Sequence, residues 1–179
     1  MRHQKYDAAF ILKGAYRLAL KKGVDSVTSR GLAHELGIST QPIYLSFQNI
    51  EEVKELLSEQ IFRDIQGKHF QAIETMQDFL TNYSRFIQEE KELYFVLTAD
   101  QRMQTQSEVF LYRFFEDCLS KEYQLRSYEK QILFSRMQGM ISVLIKSGEL
   151  TEKIHLLEEM ILSDIQLIVD SRRTVAMTK

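Results

Sequence analysis

The sequence predicts an all-α protein, and three observations carry the prediction. Helix-breaking residues are sparse, with seven glycines and one proline in 179 residues. Apolar residues recur at three- and four-residue intervals with almost no period-2 alternation. The segment Thr28–Phe47 holds two short helical patterns joined at Gly37, the spacing of a helix-turn-helix.

One helix is expected ahead of this unit and two within it. Leu32, Ala33 and Leu36 fall on one face of the first of the two, and Ile38, Ile43 and Phe47 supply the apolar face across the turn. Ala33 is small where crossing helices must approach, and Gly37 sits where φ > 0 is cheapest for glycine. Thr28 and Ser39 are each expected to cap a helix start. Pro42 then falls in the first turn, where its missing N–H costs little. With the apolar face assigned, the second helix turns Thr40, Gln41, Tyr44 and Ser46 outward. Such uncharged hydrogen-bonding groups suit base edges and phosphates, glutamine pairing with adenine in the major groove. This unit points to DNA.

Six further helices follow, for a total of nine. Asn49 with Glu52 reads as a cap opening a helix to about Gly67. Ile73, Met76, Phe79, Leu80, Tyr83, Phe86 and Ile87 form the stripe of the next. The remaining four are expected at about Lys91–Gln101, Ser107–Tyr123, Ser127–Ser147 (stopped by Gly148) and Thr151–Arg172.

The formal charge of −2 is unevenly distributed. Residues 1–50 hold seven Lys/Arg (Arg2, Lys5, Lys13, Arg17, Lys21, Lys22, Arg30) against three acids, a net of +4, and the rest carries −6. A positive head on an acidic body orients a molecule toward phosphate. Met1–Asp7 has no apolar leader and no apolar run approaches a membrane span, so a cytoplasmic protein without membrane contact is expected. Cys118, the single cysteine, lies among Phe114, Phe115 and Leu119 and is read as core. The four histidines have no ligand spacing, and there is neither a phosphate-cradling glycine loop nor a nucleophile beside a base. No catalytic residue, metal site or cofactor is assigned, and the protein is not expected to be an enzyme.

Residues from about 5 to 65 resemble the DNA-binding domain of TetR-family transcriptional regulators. The family pattern is met by Thr28, Leu32, Ala33, Leu36, Gly37, Ile38, Tyr44 and Phe47. The resemblance implies a nine-helix TetR-like fold, with a helix-turn-helix domain over 1–49 and a helical effector-binding and dimerisation domain over 50–179. It implies that Gln41, Pro42 and Tyr44 face bases, that Thr28, Ser29, Thr40 and Ser46 approach phosphates or sugars, and that Arg30 and Ser39 belong to the same DNA-facing set. One departure stands out: Ile50 occupies the place where the family usually has a phosphate-contacting lysine.

The partners implied are a pseudo-palindromic double-stranded operator, a second copy of the chain and an unknown small-molecule effector that relieves repression. Dimerisation through the last two helices falls to Met140, Leu144, Ile161, Ile165 and Ile168, and Leu156, Met160, Leu162 and Leu167 give the last helix a second apolar side. Gly139 is read as permitting close helix approach. The aromatic body implies an effector pocket at Phe79, Tyr83, Phe86, Tyr94, Phe110, Arg113, Phe114 and Met137, with Tyr112 and Arg136 as further polar tips. A rival reading, carried by Ile50 and the modest basicity of the head, is an all-α ligand-binding or protein-interaction module whose head no longer binds DNA.

Overall fold

A computed structural model describes residues 6–177, with side chains described through Ser171. Nine α-helices lie among the described residues: α1 (Ala8–Lys22), α2 (Ser29–Leu36), α3 (Gln41–Ser46), α4 (Ile50–His69), α5 (Met76–Glu89), α6 (Lys91–Ala99), α7 (Gln101–Glu122), α8 (Ser127–Ser147) and α9 (Leu150–Met177). The chain is all-α, as its sequence predicts.

It divides into two compact units, Met1–Lys68 with Glu90–Glu108, and His69–Glu89 with Val109–Lys179. In the first unit α1 buries Ile11, Ala15, Leu18 and Ala19, α2 buries Leu32 and Ala33, and α3 buries Ile43. Asp7 caps α1 by accepting from the Phe10 N–H at 2.8 Å. The opening of α7 is joined to α4 by a polar seam. Ser58, buried on α4, donates to Gln106 Oε1 at 2.5 Å, and Arg102 reaches both Glu51 and Glu55 at 3.3 Å. In the second unit α8 and α9 form a hairpin across Gly148, whose φ of 76° gives the left-handed stop expected from the sequence. Arg136 Nε lies 2.7 Å from Asp164 Oδ2 and ties the two helices. Gln77 donates to Glu158 at 3.1 Å and ties α5 to α9.

Three sequence expectations shift. Helix α5 begins at Met76, so Ile73 lies outside it. Thr75 Oγ1 accepts from the Asp78 N–H at 3.0 Å while Asp78 Oδ2 accepts from the Thr75 N–H at 3.0 Å, a reciprocal cap that fixes the start. Helix α7 begins at Gln101 rather than Ser107, because Asp100 Oδ1 accepts from the Met103 N–H at 2.8 Å. Ser39 does not cap α3. Thr40 holds that position without a side-chain bond. The second helical residue, Pro42, has no N–H to offer, and the third, Ile43, already donates to the Thr40 carbonyl at 3.2 Å.

Cys118 is buried, as expected, and burial pushes its thiol up to about 11. Among the described residues no three His, Cys, Asp or Glu side chains are grouped to hold a metal ion. No helix there is long and apolar enough to cross a membrane.

Candidate nucleic-acid interface

The helix-turn-helix is locked by its ends and its glycines. Thr28 Oγ1 accepts from the Gly31 N–H at 3.0 Å and so caps α2, satisfying one of the donors a helix start leaves over. Gly37 ends α2 in the left-handed region, with φ 65° and ψ 34°. The Ile38 N–H then donates to the Ala33 carbonyl at 3.0 Å. Leu32, Ala33, Ile43 and Phe47 are buried, as the two apolar faces predict, whereas Leu36 and Ile38 are half-buried.

Two close approaches escaped the sequence reading. A Cβ on Gly14 would lie 2.4 Å from Leu36 Cδ2, and one on Gly31 would lie 2.5 Å from the Ser26 carbonyl oxygen. The first lets α2 settle against α1, and the second lets α2 start tight against the preceding turn.

Helix α3 then presents its outer side. Gln41 and Tyr44 are exposed, and Thr40, Pro42 and Ser46 are half-buried. Ser29, at the start of α2, meets the Tyr44 hydroxyl at 2.7 Å, so one hydroxyl pair links the two helices at the surface. Thr28, Arg30 and Ser39 are also exposed. One exposed residue of α3 went unassigned in the sequence: Leu45, 68% exposed. Its lack of a partner at apolar spacing was the available signal.

The match to the model of bacterial regulatory proteins, tetR family, runs over residues 11–56 and so spans α1 to the opening of α4. Over those residues the chain carries the tetR-family domain of bacterial regulatory proteins. No curated protein and no solved structure matches it. That domain supports a DNA-binding transcriptional regulator.

The charges around the helix-turn-helix are partly committed within the fold. Glu35 takes Lys21 at 2.8 Å and Arg17 at 3.9 Å, and the Lys21 bond holds its carboxyl below the usual range. Lys13, Lys22 and Arg30 are exposed, while Arg2 and Lys5 lie outside the described residues. At the start of α4, Asn49 Oδ1 accepts from the Glu52 N–H at 2.9 Å, the cap the sequence predicts, and Glu52 accepts from the Gln48 N–H at 2.6 Å. Ile50 therefore opens α4 beside Glu51 and Glu52. Lys54 at 3.1 Å and Arg102 offset the charge of Glu51.

In the second unit the residues expected around an effector largely converge. Phe79, Tyr83 and Phe86 on α5 and Phe110 and Phe114 on α7 all have ring centroids within 6.5 Å of Phe70. Phe70 follows the last residue of α4 and had no helical period to mark it. Tyr83 donates to Gln138 Oε1 at 2.7 Å, and Met137 is buried on α8. Tyr112 stacks on Phe115, and its buried hydroxyl has no hydrogen-bond partner among the described residues. Burial, then the charge of Glu116, raises its pKa above the ordinary tyrosine value. Two expected members stand apart: Arg113 is exposed, and Tyr94 is buried on α6, in the other unit.

The five residues expected to dimerise fall into two groups. Ile161 and Ile165 are fully buried within the single chain, whereas Met140, Leu144 and Ile168 are half-buried. A groove of about 420 Å³ runs between α8 and α9, lined by Met140, Val143, Leu144, Leu156 and Met160 among others. Val143 and Leu167 are each 65% exposed. Gly139 also lines the groove, and a Cβ there would meet nothing within 4 Å.

Proposed function

We propose that the chain is a cytoplasmic homodimeric repressor, not an enzyme, that reads a pseudo-palindromic operator through α3 and is released by a small-molecule effector. The functional division is 1–49 for DNA and 50–179 for effector and dimer. The observation that carries the reading is the exposed Gln41 on a helix fixed by the Thr28 cap and the Gly37 turn. A glutamine amide offers adenine one donor and one acceptor, and such a bidentate pair discriminates by about 1–3 kcal/mol. Thr28, Ser29, Thr40, Ser46, Arg30 and Ser39 set register on the backbone, with Pro42 and Tyr44 beside Gln41 at the bases.

The test is fluorescence anisotropy on a duplex from the region upstream of the coding sequence, with scrambled competitor and a salt titration. Tight, selective binding that falls with salt is expected, and Gln41→Ala should lose roughly tenfold or more in selectivity. Equal binding to upstream and scrambled duplexes with little salt dependence would instead support the module with a silent head, the reading that Ile50, Glu51 and Glu52 at the start of α4 favour.

For the dimer, the half-buried Met140, Leu144 and Ile168, with the open Val143, Leu156, Met160 and Leu167, supply the self-complementary apolar face a two-fold interface needs. Ile161 and Ile165 support it from beneath by holding α9 in the unit. Gly139 leaves room for a close approach. Placing Glu at both Leu156 and Met160 would bury unpaired charge, which costs several kcal/mol. Sedimentation should move from twice the chain mass to the chain mass with unchanged helical content. A double variant that still sediments as a dimer would refute this face.

The effector reading rests on the rings around Phe70, together with the Tyr83–Gln138 pair and the buried Tyr112 hydroxyl. Mostly apolar walls with a few polar groups favour an aromatic or aliphatic effector carrying one or two hydrogen-bonding groups.

A further inference from the structure

We infer that Leu45 is a base-reading residue that selects the C5-methyl group of thymine. The inference rests on the proposal that α3 reads DNA and adds an aliphatic contact to its code.

The geometry begins with the buried side of α3. Ile43 is fully buried and Phe47, at its end, nearly so, which sets the inward direction midway between them. At about 100° per residue, Leu45 points about 180° from that direction, Gln41 lies about 40° from Leu45, and Tyr44 about 100° from it. Leu45 and Gln41 therefore share the crest of the helix, the line that goes deepest when a recognition helix enters the major groove. Leu45 is 68% exposed and Tyr44 54%. Single exposed leucines are ordinary on protein surfaces. This one sits on the crest of a six-residue helix, QPIYLS, that carries no charged side chain, so no ionised neighbour on α3 draws it toward phosphate.

A leucine offers no hydrogen bond, so the feature of a base pair it can select is apolar, and in the major groove that feature is the thymine methyl. Leu45 lies one turn beyond Gln41, a rise of about 6 Å, which places its contact within about two base pairs of the glutamine's. Burying one methyl group against an aliphatic side chain corresponds to roughly a three- to fivefold change in affinity.

The test begins by selecting duplexes from a random pool with the full chain. Each thymine of the preferred duplex is then replaced singly by uracil, which removes only the methyl group. Wild type should weaken three- to fivefold at one thymine in each half-site, while Leu45→Ala binds the thymine and uracil duplexes equally. Leu45→Met, which keeps an apolar tip, should retain the preference. Circular dichroism should be the same for all three proteins. Wild type and Leu45→Ala responding alike to every uracil overturns the inference; if Gln41→Ala still changes the selected sequence, the DNA-reading proposal survives. Recovery of no preferred duplex overturns both.

Discussion

Phe70→Ala is expected to destabilise the second unit by about 3–5 kcal/mol, the range for deleting a buried phenyl ring. Phe70 is 3% exposed. It meets Phe114 at 5.2 Å, Phe110 edge-on at 5.9 Å, Phe79 at 6.1 Å, Phe86 at 6.3 Å and Tyr83 at 6.5 Å. Truncation removes its transfer free energy, several favourable ring pairs and the packing of whatever cavity the neighbours cannot close. The neighbours sit on two rigid helices, so little closure is expected. Urea denaturation followed by far-UV circular dichroism should show an earlier midpoint for the transition of this unit. Phe95→Ala, which removes a ring that is 58% exposed, should stay within about 0.5 kcal/mol of wild type. A loss below about 1 kcal/mol at Phe70 would show that the cluster recloses and that Phe70 is not its centre.

Gly31→Ala should destabilise the DNA-binding unit by about 1–3 kcal/mol and lower operator affinity, although helix propensity alone points the other way. Alanine in a helix gains about 1 kcal/mol over glycine. Here the new Cβ would lie 2.5 Å from the Ser26 carbonyl oxygen and 3.1 Å from Thr28 Oγ1. The Ser26 carbonyl is held by the Thr28 N–H at 2.8 Å, so relieving the clash moves backbone, and overpacking of this kind costs about 1–3 kcal/mol or more. The Thr28 cap on the Gly31 N–H, itself worth about 1 kcal/mol, is strained by the same shift. The steric and capping losses together exceed the propensity gain. Thermal unfolding of the variant checks the sign, and a raised midpoint would show that α2 can slide away from the turn at no cost. Since α2 carries Ser29, which meets Tyr44 at 2.7 Å, the same movement should reach the recognition helix.

What was legible in the sequence was local. Thr28, Gly37, Asn49 and Gly148 marked helix ends because capping and left-handed backbone depend on the residue and its near neighbours. Ser39 misled because capping also depends on whether the next residues have an N–H to give, and Pro42 had none. Asp100 and the Thr75–Asp78 pair are the caps that start α7 earlier and α5 later than their apolar stripes imply. Phe70 was invisible because a residue between helices belongs to no period, however many rings it touches. Leu45 is illegible for the opposite reason: it interrupts a polar face without joining the apolar one.

The sequence by itself determined the all-α class, the nine helices of the described residues, the position of the helix-turn-helix and the uncharged face of its second helix. Each follows from spacing and composition within a few turns of chain. The tertiary structure alone decided that Ile161 and Ile165 are core while Leu156 and Met160 are open, since both pairs lie on one helix with apolar residues on two sides. Which side meets the rest of the chain depends on partners distant in sequence. It also decided that Gly14 and Gly31 are points of close approach, because the absence of a side chain acquires meaning only from the atoms that fill its place.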